Sequence, residues 1–161
     1  MNNTIKKEVY LIIAFNETAW YGKDDVKERL AKLPLTYQYA IRKNMKPLNK
    51  MIDEFNTFKG EKEQALRDFW FDDEHATDTT TKDESGNEVP AKKIKDEYRE
   101  KYEEAVKELN SQLEKLLSET DEVVFNSIDL DSLVESAPDN SITIDDVDMI
   151  SLFSQEDSGD E

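Results

Sequence analysis

Two lines of apolar residues at helical spacing constrain this chain more than any other feature. Between Leu35 and Phe71, the residues Ile41, Met45, Leu48, Ile52, Phe55, Leu66 and Phe69 share one seven-residue a/d register, broken only at Lys59 and Lys62. A matching line runs through Ile94, Tyr98, Tyr102, Ala105, Leu109, Leu113 and Leu116. Each line occupies one narrow face of a helix, so the spacing predicts a long helix over 35–71 and a second over 91–118. Pro47 removes one backbone hydrogen bond from the first helix and should bend it, and Gly60 weakens it near the break in register. The two lines can cover each other in an antiparallel helical hairpin, whose arms of about 28 residues extend roughly 40 Å.

The rest of the chain has to complete that thin core. In 161 residues, apolar and charged residues each make up 37%, which suits an elongated domain better than a compact one. Four Gly and four Pro are too few to punctuate an all-β fold. Zero Cys excludes a disulfide framework, a zinc knuckle and a thiol nucleophile; it permits a reducing compartment, and an intracellular location is the default expectation. Residues 4–21 read as a helix that is apolar nearly all round, and 23–32 as a short helix stopped by Leu33-Pro34. Together, 1–34 form an N-terminal helical knot. Its run Val9–Phe15 is too short to span a bilayer and is not followed by the small residues of a cleavage site. The segment 74–90 has no helical line, and Thr77–Lys82 with Ser85-Gly86-Asn87 predicts a small β-hairpin or a loop at the tip of the hairpin.

Past Thr120 the expected order is a strand over 122–128, a short helix over 130–137, and a last helix to Phe153. That last helix opens on Thr143-Ile-Asp-Asp146, the pattern of a capping box. The fold class is therefore mainly α, a single elongated domain over 1–153. Its parts are 1–34, 35–118 and 119–153, followed by a frayed acidic tail over 154–161.

Charge is divided unevenly along this fold. Residues 1–71 carry a net +3 and residues 72–161 a net −20, together the −17 of the whole chain. Glu119–Glu161 contains 14 Asp/Glu and no Lys or Arg. Such a field repels nucleic acid and selects a protein partner with a basic surface. The cluster Arg42-Lys43, Lys46 and Lys50 is expected to neutralise the acidic C-terminal region, within the molecule or on a neighbouring copy.

The stretch Leu33-Pro-Leu-Thr-Tyr-Gln-Tyr-Ala-Ile-Arg-Lys-Asn-Met-Lys-Pro-Leu48 resembles a family of small acidic proteins of tailed, siphovirus-type bacteriophages whose function is unknown. The order of parts is similar too: a helical hairpin with a polar tip, here Asp83–Glu88, then an acidic strand and a final short helix. Tyr39–Leu48 carries the specific part of the resemblance. It implies a phage origin, with the cytoplasm of the infected bacterium or the virion as location, and it brings no reaction with it.

No catalytic pattern competes with these features. The single histidine lies in Phe71-Asp-Asp-Glu-His-Ala-Thr-Asp78, where His75 with Asp72, Asp73 or Asp78 could meet a metal, but four successive residues cannot all face one ion. A serine triad would need that same histidine and has no nucleophile elbow. Asp129-Leu-Asp131 fails as a calcium loop, since Val134 and Asn140 stand where Gly and Glu are needed. Walker-type and dinucleotide-binding glycine patterns are absent. The expectation is a non-enzymatic protein without cofactor or metal that acts through protein contacts and associates with copies of itself. The rival is an acidic DNA mimic that inhibits a host nuclease or CRISPR-type defence protein. Contact residues are expected at Trp70 and Phe71, on the acidic arm at Glu97, Glu100, Glu104 and Glu108, and at Asp145, Asp146 and Asp148.

Overall fold

Local signals place most of the helices. The computed structural model describes residues 2–139 and 141–154. Asp24 and Asp25 open helix α2 (Asp24–Leu30), where their charge complements the helix dipole. Asp129 caps α5 (Leu130–Ser136) by accepting from the Ser132 N–H. Thr143 and Asp146 form the full capping box of α6 (Ile144–Ser151), which ends two residues before Phe153. The first apolar line lies on α3 (Leu35–Trp70), and Pro47 sits inside the helix.

Four strands form two small antiparallel sheets. β1 (Asn2–Lys6) pairs with β4 (Thr120–Val124), with Thr4 opposite Glu122 and Ile5 opposite Asp121. The Lys7 N–H continues that ladder to the Glu119 carbonyl at 2.8 Å. β2 (Ala76–Lys82) pairs with β3 (Glu88–Ile94) as a hairpin. Its turn is closed by Asp83, whose Oδ1 accepts from the Ser85 and Asn87 N–H groups at 3.0 and 2.9 Å. Gly86 takes φ +79°, a left-handed conformation that favours glycine.

Several boundaries differ from the sequence expectation, among them the strand expected over 122–128, which is β4 at Thr120–Val124 and stops before Phe125. The first helix, α1 (Lys7–Tyr21), begins three residues late because Thr4–Lys6 belong to β1. Strand β1 shows no apolar alternation, so its pairing partner defines it. The second long helix was expected from Ala91, but Ala91–Ile94 complete β3, a 3₁₀ turn covers Asp96–Tyr98, and α4 runs Arg99–Ser118. The hairpin ladder captures residues whose spacing alone also suits a helix.

The described residues divide into two units: those up to Glu54 with those from Leu117 on, and Phe55–Leu116. In the first unit, Ala14, Val26, Ile41, Met45, Leu48, Val123, Leu133, Ile150 and Phe153 are buried. The Tyr39–Leu48 stretch earns its place here through packing: Ile41, Asn44, Met45 and Leu48 are buried at i, i+3, i+4 and i+7. Asn44 uses its amide as a strand would, donating to the Asn126 carbonyl at 2.9 Å and accepting from its N–H at 2.7 Å. A second tie joins the Ile128 N–H to the Phe153 carbonyl at 2.9 Å. In the second unit, Ala76, Ile94 and Leu113 are buried.

Candidate functional site

Among the described residues four groupings stand out, and the first is a buried carboxylate. Asp146, expected to face a partner, is 0% exposed. Its Oδ1 accepts from Trp20 Nε1 and Arg29 Nη2, both at 3.0 Å. Its Oδ2 accepts from Arg29 Nε at 2.6 Å and from the Thr143 N–H at 3.1 Å. Burial raises the carboxyl's pKa, but the bonds from Arg29, Trp20 and Thr143 outweigh it and bring the value down to about 2. Every acceptor position is used, so Asp146 clamps α6 to α1 and α2 and has no surface to offer. Asp145 and Asp148 remain exposed on α6.

The second grouping was invisible to spacing arguments. Glu17 lies on the buried face of α1, 4% exposed, and its Oε2 has no hydrogen-bond partner among the described residues. Burial pushes its carboxyl up to about 8. The only sequence signal for it is a lone acid at helical spacing between Ala14 and Trp20. Asn44 carries a similar signal, one polar residue inside an apolar line.

The third is a ring cluster beside the β-hairpin, in the second unit. The His75 ring sits 4.9 Å from Phe69, 5.2 Å from Trp70 and 4.7 Å from Tyr98. Trp70 and Phe71 pack against Tyr102 at 6.1 and 5.7 Å. The sequence placed Phe69 on the seam and Trp70 outward; the structure exposes 56% of Phe69 and leaves Trp70 half-buried among the rings. One ligand atom each from Asp72, Glu74 and His75 lies within 4.8 Å of the others. This is one short of the four ligands of a structural zinc site. Asp72 Oδ1 is already engaged, by the His75 N–H at 2.8 Å and by Nδ1 at 2.7 Å. The His75 backbone bond is the main influence holding the Asp72 carboxyl below its ordinary value. Asp73 instead pairs with Lys92 at 2.7 Å, and Asp78 lies in β2 opposite Lys92. Asp72 and His75 thus tie the turn that leads α3 into β2, with Glu74 exposed between them.

The fourth is the acidic arm. Glu97, Glu100, Glu104 and Glu108 are all exposed, and their spacing puts them on one side of the 3₁₀ turn and α4, with Lys107 among them. A furrow of about 530 Å³ lies alongside, lined by Tyr102, Val106, Asn110 and neighbours, all from α4. Its walls come from a single helix, so it is an open groove and not a cleft that could gather reacting groups. The cluster Arg42, Lys43, Lys46 and Lys50 is exposed, and Lys50 faces Glu54 at 3.7 Å. Among the described residues, Lys7 meets Asp121 at 2.6 Å and Arg29 meets Asp146 in the acidic C-terminal region. The expected acidic tail beyond Ser154 lies outside the described residues.

No helix among the described residues is long and apolar enough to cross a membrane. Comparison with family models, with curated proteins and with solved structures finds no match.

Proposed function

We propose that this chain is a non-enzymatic protein of a tailed bacteriophage that works by protein–protein contact in the infected cell, as a virion component or assembly factor. In this reading the part of α3 within the second unit pairs with α4 along their apolar lines as a hairpin arm, copies of the chain associate, and the arm presents carboxylates to a basic partner. The observation that carries the reading is the exposed row Glu97, Glu100, Glu104 and Glu108, held on ordered helical backbone beside an open groove. A rigid row of like charge steers a complementary surface and selects among partners, and it needs no closed cleft.

The DNA-mimic reading shares that row. A helix with acids every four residues places a charge about every 6 Å of its axis, against one phosphate per roughly 3.4 Å of duplex axis for each DNA strand, so its linear charge density is lower, and Lys107 dilutes it further. This favours an ordinary basic protein surface over a nuclease groove. The test is capture from phage-infected cells with the tagged protein and with a Glu97→Lys, Glu100→Lys, Glu104→Lys, Glu108→Lys variant. Portal, tail or capsid proteins recovered by the first and lost by the second are expected. A host nuclease released by salt would replace this reading with the mimic. Identical recoveries by the two proteins would overturn both.

A further inference from the structure

Helix α1 keeps two apolar faces. One is buried in the first unit through Tyr10, Leu11, Ala14 and Trp20. On the other, Val9, Ile12 and Phe15 are 44%, 55% and 46% exposed, with Ala19 exposed beside them. At about 100° per residue these four fall with Glu8 and Asn16 in one arc of roughly 120°. A helix that is apolar all round is one that is covered all round.

We propose that a second copy of this chain covers that face, α1 against α1, antiparallel about a twofold axis between Phe15 and Asn16. The proposal deepens the self-association in the function proposed above and names its surface. In an isologous pair each contact occurs twice. With the axis at that point, Ile12 meets the second copy's Ala19, and Val9 meets the second copy's Gly22, where no side chain intervenes. Glu8, the only charge on the face, then meets the second copy's Lys23. Lys23 directly follows the helix, its N–H bonded to the Trp20 carbonyl at 3.1 Å. Both residues are exposed, and neither has an ion pair among the described residues. Charge complementarity therefore selects this register among those that keep the two apolar faces together.

The pairing also brings the least acidic part of the molecule together. The whole chain carries −17, so two copies repel at long range, and salt that screens this repulsion strengthens an apolar pair. An association driven by ion pairs would weaken instead. One helix face per copy lies at the small end of specific interfaces, which makes a pair that assembles at concentrations on the order of 100 μM.

The experiment is sedimentation of the full chain from about 10 to about 300 μM at low and high salt, a range that brackets that concentration. A mass rising toward two chains, more so at high salt, is expected. Ile12→Glu should weaken the pair roughly tenfold or more by placing a charge at an apolar contact. Glu8→Lys and Lys23→Glu should each weaken it several-fold, and the double variant should restore it, a rescue that a merely structural role would not produce. The chain has no cysteine, so Asn16→Cys sets two lone thiols across the axis and should oxidise to a covalent pair. Leu35→Cys, at a residue 79% exposed, is the control and should stay monomeric. A single-chain mass throughout, equal cross-linking by the two cysteine variants, or a pair indifferent to Ile12→Glu would overturn the proposal. Loss of partner capture on reversing the α4 charges leaves α1 untouched, so the two ideas fail separately.

Discussion

Replacing Glu17 with Gln separates a buried carboxyl's burial from its charge. The unfolded chain releases this proton near 4.5, whereas the folded chain holds it to about 8. Between those values the unfolded state binds fewer protons, so stability falls as pH rises. The contribution of Glu17 is fully present below 4.5 and is lost as pH climbs through about 8. At about 1.4 kcal/mol per pH unit over that interval the ceiling is roughly 5 kcal/mol. Water entry and side-chain relaxation around a single buried charge bring the expected value to roughly 3 kcal/mol. Glutamine keeps the shape and does not titrate, while every other ionisable group cancels in the comparison. Urea unfolding of both proteins at each unit from pH 5 to pH 9 should show the variant gaining about 3 kcal/mol on the wild type across the series. A gap that stays constant within about 0.5 kcal/mol would mean that Glu17 ionises at its ordinary pH and that the site is wet.

Asp146 has the opposite pH dependence: its lowered pKa adds stability that is present above 3.8 and lost as pH falls toward 2. Asp146→Ala should lower stability by roughly 2–4 kcal/mol, since it strands the Arg29 charge and the Trp20 N–H, read by urea unfolding at pH 7. Asn44→Ala removes all three bonds to Asn126 and should remove about 1–3 kcal/mol in the same assay, with faster amide exchange at Asn126. Gly60 lies mid-helix and a Cβ there would meet nothing within 4 Å, so Gly60→Ala should add about 0.5–1 kcal/mol. Gly86→Ala, at φ +79°, should instead lower stability by about 1 kcal/mol and shift the melting temperature down by a few degrees.

Features that rest on residues within a few positions of one another could be read from the chain before it folds. The α6 capping box, the tight turn around Gly86 and the course of α3 are of this kind, because a cap or an apolar line is complete within one or two helical turns. The division of charge and the exposed row on the acidic arm were legible for the same reason. Features that depend on distant partners emerge from packing in three dimensions. β1 needs β4, whose Asp121 meets Lys7 across 114 positions. Asn44 reaches Asn126 across 82, and Trp20 reaches Asp146 across 126. Asp146 looked like one more surface acid because its first-turn position favours negative charge whether or not it is buried. Its burial follows from Arg29 and Trp20 arriving from other helices, and that meeting is settled by packing rather than by local preference. Glu17 is the same lesson in reverse: its neighbours in sequence are ordinary, and the fold that closes over its carboxyl sets its charge.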